Sequence, residues 1–319
     1  MGDVAMTTPV LYSLAQQFPD VEITLLSRPQ FESFFIDENI NFVGVDFKKH
    51  KGIWGLFNIF RKLRKQKIDV VADLHNVLRS RILCAFFTVC GIKTAKINKG
   101  RREKKQLISK KNKILRQLPT SFERYANVFS RLGFNINYTS FESILNTKKT
   151  IDDENKKIGI APFAKHKGKI YPIEKTEQIV EYFSKIENVK IFLFGGGKNE
   201  TEILKNWENK YNNVVSLAGK FNLCYEIITI SNLDVIFAMD SANMHIASIV
   251  NTPVVSVWGA THPFAGFYGW QQKPENAIQI DLQCRPCSIF GNKDCFRGDY
   301  ACLNSITPET IIEKIKSFL

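Results

Sequence analysis

The stretch Asp240-Ser241-Ala242-Asn243-Met244-His245 lies between an apolar run, Val235 to Met239, and a pattern of helical spacing. A second apolar run, Val254 to Trp258, follows Asn251-Thr252-Pro253 and closes on Gly259. Strand, tight turn and helix in that order aim unpaired backbone N–H groups and the positive end of a helix dipole beyond the strand, which makes a seat for phosphate. The same residues admit a plainer reading. Asp240 or Ser241 is then the N-cap of an ordinary helix, and His245 a satisfied core histidine. A carboxylate at Asp240 would also compete with phosphate for the same donors. If both are present, Asp240 faces a sugar and leaves the phosphates to the helix.

Other residues join this candidate site. Ala161-Pro162-Phe163-Ala164 ends an apolar run, and Lys165, His166, Lys167 and Lys169 come next. Lysines beyond a strand end, with helix N-termini, compensate the charge that develops on a diphosphate leaving group. Gly195-Gly196-Gly197 also follows an apolar run and precedes a helix. Alone it marks no more than a flexible strand-to-helix loop. Cys284-x-x-Cys287, with Cys295 and Cys302, crowds four of the seven cysteines into one stretch. Two clean Cys-x-x-Cys knuckles are absent, so a structural metal, inert buried thiols and redox chemistry all stay open.

The chain has 319 residues, room for two domains of ordinary size, and its 44% hydrophobic content suits a packed protein. No apolar run approaches the roughly 18 residues of a membrane span, and no signal peptide is visible, which points to the cytoplasm. Charge is uneven: residues 1–150 carry 26 Lys and Arg against 12 Asp and Glu, whereas 151–319 carry 18 against 19. Within 48–116 the count is 21 against 3. That half is built to meet something anionic, unless the charge is only a solvated basic surface. No zinc finger, RNP motif or other reader module supports nucleic acid as the partner. Trp54, Phe57 and Phe60, three apart on a helical stretch, read as core.

Strand patterns fall over 21–27, 41–47, 69–75 and 94–98, and helix patterns over 4–17, 54–65, 78–89 and 122–132. The basic stretch 96–116 is too charged for a core and reads as a mobile loop. A polar stretch, 135–157, reads as a linker. Beyond it strands are expected over 157–162, 189–195, 214–218, 234–239, 254–258 and 277–281. Helices are expected over 174–185, 200–211, 223–230, 243–250 and 308–318. Repeated strand–helix units imply parallel sheets with helices on both faces. The division is 1–150 and 151–319.

Several separately placed elements resemble one family. Asp240-Ser241-x-x-Met244-His245-Ile246-Ala247, then a strand and Gly259-x-Thr261-x-Pro263, is similar to the C-terminal signature of the family 9 glycosyltransferases, the lipopolysaccharide heptosyltransferases. Gly2-Asp3-Val4 with Phe18-Pro19-Asp20 resembles the family's N-terminal turn. Asp73-Leu74-His75 with Arg79-Ser80, Phe122-Glu123-Arg124-Tyr125, Lys169-Ile170-Tyr171-Pro172 and Leu217-Ala218-Gly219-Lys220-Phe221 resemble further elements. Two departures stand out. Ala242 replaces the usual glycine, and the apolar strand that precedes Gly-Asp in relatives is absent before Met1. Without that strand the chain is expected to be less stable than one carrying about eight to ten further residues.

The resemblance implies an α/β fold of the GT-B kind, two facing Rossmann-like doubly wound parallel-sheet domains with a cleft between them. It implies a basic acceptor-binding domain, a nucleotide-sugar-binding domain, and a final helix packing back towards the first domain. The implied activity is inverting, metal-independent transfer of heptose from ADP-heptose to an anionic lipopolysaccharide core, at the membrane surface and without a cofactor. Asp3 is the implied base, with Lys169, Asp240 and His245 at the reacting centre. Lys165, Glu200, Lys220, Phe221, Ser241, Ala242, Asn243 and Met244 would bind the donor, Glu200 at the ribose and Lys220 and Phe221 at the base. Arg79 and Arg81 would hold acceptor phosphate or carboxylate groups. A different nucleotide-sugar donor, or a non-catalytic scaffold for polyanions or membranes, remains the alternative.

Overall fold

The computed structural model describes residues 1–141 and 155–319, so most of the expected linker lies outside the described residues. The first part runs α1 (Gly2–Ala5), α2 (Thr8–Gln17), β1 (Ile23–Ser27), β2 (Ile40–Gly44), α3 (Gly52–Arg64), β3 (Val70–Asp73), α4 (Leu78–Val89), β4 (Lys93–Lys96), α5 (Arg101–Leu107) and α6 (Ser121–Leu132). The rest runs β5 (Lys156–Ala161), α7 (Ile173–Ser184), β6 (Val189–Leu193), α8 (Lys198–Lys210), β7 (Val214–Ser216), α9 (Leu223–Ser231), β8 (Val235–Met239), α10 (Ala242–Ile249), β9 (Val254–Val257), β10 (Ala277–Ile278), α11 (Ala301–Asn304) and α12 (Pro308–Lys316). This is the expected α/β class, and every strand pair is parallel among the described residues. No helix among them is long and apolar enough to cross a membrane.

The single helix expected over 4–17 is two. Pro9 stands in the first turn of α2. Its ring would clash with the carbonyl four residues back, at Ala5, and it has no N–H to donate, so the turn through Met6-Thr7 separates α1 from α2.

Two compact units result. One comprises Met1–Ala5, Arg102–Leu118 and Ser143–Leu319; the other comprises Met6–Arg101 and Pro119–Glu142. The first holds a six-stranded sheet in the order β10-β9-β8-β5-β6-β7. Strands β8 and β9, Val-Ile-Phe-Ala-Met and Val-Val-Ser-Val, are buried throughout, as central parallel strands covered on both faces must be. Chain order runs outward from β5 through β6 to β7 and, separately, from β8 through β9 to β10. The reversal falls between neighbouring β5 and β8, paired Ile160 to Phe237 and Ala161 to Ala238. Loops leaving those two strands diverge there and open a crevice at their carboxyl ends.

Helix α12 packs on α7 and on β8 and β9, with Ile311 and Ile315 fully buried, and so completes its own sheet. One expectation for this unit is corrected. The basic stretch 96–116 is anchored, not loose. It carries α5, and Leu107 (0% exposed) and Leu118 (3%) form a cluster with Ala265 and Ile289. The Leu118 N–H donates to the Phe264 carbonyl at 2.9 Å. Two leucines among many charges hold the segment, too few to register as a periodic pattern.

The other unit holds two separate parallel pairs, β1 with β2 and β3 with β4. Its core gathers Val45, Leu56, Ile59, Phe60, Leu63 and Phe87. Trp54, expected inside, is 78% exposed. At about 100° per residue, a three-residue spacing falls about 60° short of a full turn each time. From Phe60 on the buried stripe, Phe57 is displaced to its edge and Trp54 to the far side. In the same unit Asp73 is a turn organiser: its carboxylate accepts from the His75 and Asn76 N–H groups and from Ser80 Oγ. Arg124 likewise ties the chain locally, donating to the Asn98 and Pro119 carbonyls.

Candidate active site

The crevice beyond β5 and β8 is furnished by two strand-to-helix connections. After β5 the chain makes a short turn, Lys167–Lys169, fixed by the Ala260 N–H donating to the Gly168 carbonyl at 2.8 Å. The stem of Lys169 lies against Gly291. A Cβ at Gly291 would stand 2.6 Å from Lys169 Cγ, and the backbone there has φ +72°, so both space and conformation call for glycine. This directs the Lys169 ammonium to Asp240 at the end of β8, with Nζ 2.8 Å from Oδ2. Both side chains are sheltered, 15% and 3% exposed. Oδ2 has no hydrogen-bond partner of good geometry, so the contact is an ion pair rather than a directed hydrogen bond.

Helix α10 starts immediately afterwards. Ser241 occupies the N-cap position with extended backbone, yet its side chain caps nothing, and its buried Oγ has no partner. The capping reading therefore holds for the backbone of Ser241 and not for its hydroxyl. Among the described residues no side chain caps the first N–H groups of α10, which have no intrahelical acceptor. Ala242 opens the helix in ordinary helical backbone and is not among the positive-φ residues, so the usual glycine's conformational freedom is not needed here.

His245 stands one turn further on, 6% exposed. Burial pushes its pKa down to about 4, against the pull of the Asp240 carboxylate, so the ring is neutral near pH 7. Its Nδ1 is buried without a hydrogen-bond partner, which is not the satisfied core histidine of the plainer reading. Helix α1 packs on α10, and a Cβ on Gly2 would come within 2.9 Å of the His245 ring. Asp3 follows in the first turn of α1, exposed, with its charge felt at His245. Asp3, Lys169, Asp240 and His245 thus share one neighbourhood.

The remaining donor residues are more dispersed. Asn243 is half-buried and Met244 fully buried on α10, and Lys165 is exposed on the loop after β5. Glu200, in the first turn of α8, folds back to accept from the Gly196 N–H at 2.8 Å, closing the glycine loop on itself. Lys220 is held by both oxygens of Glu208 at 2.8 Å. Phe221 stacks on Tyr225 with ring centres 4.0 Å apart and planes 17° apart, and both rings stay largely exposed. Tyr225 was not singled out in the sequence, although aromatics four apart across a helix start are the available signal. Gly291 also went unnoticed, since only the structure shows that it seats Lys169.

Arg79 and Arg81 lie in the other unit, both exposed at the start of α4. The Arg79 guanidinium sits 4.6 Å over the Phe47 ring.

A parallel α/β sheet with a cationic helix start at its switch point is a frame for binding a phosphorylated ligand. The solved glycosyl transferase family 9 protein from Veillonella parvula superposes with a TM-score of 0.75 at 20% identity, over 100% of this chain and 94% of that one. E. coli ADP-heptose lipopolysaccharide heptosyltransferase II superposes with a TM-score of 0.69 at 17% identity, over 99% and 95%. The chain belongs to glycosyltransferase family 9 (heptosyltransferase), whose model matches residues 56–294. Lipooligosaccharide heptosyltransferase 2 of Campylobacter jejuni subsp. jejuni serotype O:6 is 24% identical, the alignment covering 99% of this chain and 95% of the relative.

Proposed function

We propose that this family 9 glycosyltransferase moves heptose from ADP-heptose to an anionic lipopolysaccharide core acceptor, with inversion at the transferred carbon. The observation that carries the reading is the start of α10, where buried Ser241 Oγ and His245 Nδ1 have no partner beside the Lys169–Asp240 pair. A diphosphate there would receive the α10 N–H groups, the Ser241 hydroxyl and the Lys169 ammonium. Asp240 would orient the sugar. Asp3 would take the acceptor hydroxyl's proton as its oxygen bonds to the anomeric carbon, while the bond from that carbon to the ADP oxygen breaks and ADP leaves with the electron pair. Phe221 and Tyr225 would flank the adenine, and Glu200 would turn to the ribose.

The acceptor falls to residues 1–150, with Arg79 and Arg81 on its anionic groups, and the donor to 151–319. An acceptor anchored in lipid requires the enzyme to work at the cytoplasmic face of the membrane. Exposed Trp54 and Ile53 on α3, on the same helix as Arg61 and Arg64, suit peripheral contact with anionic lipid.

The test is thermal stability with ADP, ADP-heptose, UDP and GDP, followed by transfer assays of Asp3→Asn. A ligand bound only by the folded state stabilises it by mass action, about 2.7 kcal/mol at a hundredfold excess over Kd. Stabilisation selective for the adenine nucleotides is expected. Asp3→Asn should keep that response and lose transfer. A response to UDP or GDP equal to that for ADP, or full transfer by Asp3→Asn, would overturn the reading.

A further inference from the structure

The outward side of α3 sorts its residues by type along its length. Trp54, Phe57, Arg61, Arg64 and Lys65 fall within about 100° of the helix, so they share one face, apolar in its first half and cationic in its second. The exposed Trp54 ring meets Phe57 edge-on, with centres 6.3 Å apart, and Phe57 meets Phe86 of α4 at 5.6 Å. Towards their carboxyl ends the two helices leave an open groove of about 810 Å³ between them. Phe57, Phe60, Phe86 and Val89 form its apolar floor, and Arg61, Arg64 and Lys65 its rim. Val89 is 88% exposed, an apolar side chain that the fold leaves in water. Neither helix carries an Asp or Glu, and among the described residues the three rim cations have no ion-pair or hydrogen-bond partner.

The ligand that fits must supply an anion to the rim and apolar surface to the floor. A nucleic acid supplies phosphate, but its bases need open ring faces on which to stack. Here Phe60 is 4% exposed, and Phe57 and Phe86 stand edge-on to one another at 79°. An acyl chain needs only apolar area to cover. Both helices start at the carboxyl ends of their strands, where ligands bind in parallel sheets, and the groove lies at their far ends. Along α4 it is ten residues, about 15 Å, from Arg79, so it is separate from the contacts proposed for the acceptor. We propose that the groove between α3 and α4 binds one anionic phospholipid of the bilayer, its acyl chain along Phe57, Phe86 and Val89 and its phosphate on Arg61, Arg64 and Lys65. The proposal rests on the reading of α3 as a membrane-facing helix, and it turns a general surface attraction into a site for a single lipid. Arginine is suited to the phosphate because its planar fork donates two hydrogen bonds at once.

The test titrates the full chain with dihexanoyl phosphatidylglycerol below its micelle concentration. Dihexanoyl phosphatidylcholine and glycerol phosphate are the zwitterionic and chain-free comparisons. Calorimetry should find a single class of site for phosphatidylglycerol and roughly tenfold weaker binding of the other two. Arg61→Gln with Arg64→Gln should weaken binding by about twenty- to thirtyfold, since each cation beside an anionic lipid contributes about fivefold. Val89→Asp, at an exposed position, should weaken it too, whereas Lys110→Gln with Lys111→Gln, the same loss of charge in the other unit, should leave it unchanged. No binding of phosphatidylglycerol, equal binding of either comparison ligand, or an equal loss in the Lys110 and Lys111 variant would overturn the proposal. An oligonucleotide that binds more tightly than the lipid, and is lost with Arg61 and Arg64, would assign the groove to nucleic acid instead. Flotation with phosphatidylglycerol vesicles separates this proposal from the reading beneath it. Vesicle binding that persists in the groove variants would overturn the groove and keep the membrane-facing helix. Short-chain lipid bound without vesicle binding would keep the groove and sink the membrane-facing helix.

Discussion

Replacing Lys169 by Met tests whether the sheltered pair at the switch point is both a structural debt and a catalytic asset. The substitution keeps the stem that rests on Gly291 and removes the charge. Asp240, 3% exposed, is then left without its cation. Removing one partner of a buried pair costs about 3–5 kcal/mol, and the 15% exposure of Lys169 brings the expectation to about 2–4 kcal/mol. For a folding unit of this size each kcal/mol moves Tm by about 2–4 °C, so the loss is roughly 5–15 °C. Lys169→Met with Asp240→Asn should recover at least half of that, because a neutral amide no longer needs a cation. Transfer should fall by about 10²–10³ in the single variant and stay low in the double, since charge on the departing diphosphate goes uncompensated in both. Urea unfolding and a transfer assay on the same preparations separate the two effects. A single variant within about 0.5 kcal/mol of the parent, or a double variant with restored transfer, would refute the reasoning.

Acid should act through two histidines. Burial pushes both His245 and His262 down to about 4 from the ordinary 6.5. A folded-state pKa below the unfolded one means that the stability of the neutral form is complete above pH 6.5 and is lost as pH falls towards 4. At about 1.4 kcal/mol per pH unit the His245 ring, the more deeply enclosed, accounts for roughly 3 kcal/mol over that window, and the His262 ring, more open to solvent screening, for a fraction of that. Urea midpoints should fall steeply between pH 6.5 and 4, and His245→Gln should flatten the slope; an unchanged slope would count against its burial as a neutral ring. Leu107→Ala tests the anchoring of the basic segment. A fully buried leucine should cost about 2–5 kcal/mol by equilibrium unfolding, whereas a loose loop would lose almost nothing.

The sheet that positions the site was legible because central parallel strands must be apolar throughout. Val235 to Met239 and Val254 to Val257 announce themselves in the sequence, and β8 and β9 occupy those positions. Helix α4 falls over the range its pattern predicts. The misreadings have a common source, in that local pattern carries no information about what lies opposite. Trp54 fits a helical spacing but sits off the buried stripe, and Leu107 is one apolar residue among charges that finds a partner far along the chain. At the site, residue types were readable and contacts were not. Lys169 was visible as a cation beyond a strand, but its pairing with Asp240 depends on β5 and β8 being neighbours, although 70 or more residues separate the two side chains in sequence.

That pairing answers the objection raised by the sequence, that a carboxylate beside a phosphate seat would compete for its donors. Asp240 is turned to Lys169, and the α10 N–H groups stay free of it. The answer brings a constraint of its own. If Lys169 were to leave Asp240 for a bound diphosphate, a carboxylate 3% exposed would be stranded, at a cost of several kcal/mol. Only two arrangements avoid this: the ammonium bridges carboxylate and phosphate together, or other donors replace it on Asp240. Sugar hydroxyls are such donors and ADP has none to place there. The donor's sugar then contributes to binding by satisfying Asp240 and by releasing Lys169 towards the leaving group, where charge develops. For this reason ADP and ADP-heptose belong in the same stability panel, since a larger response to the sugar nucleotide is the signature of Asp240 meeting the sugar.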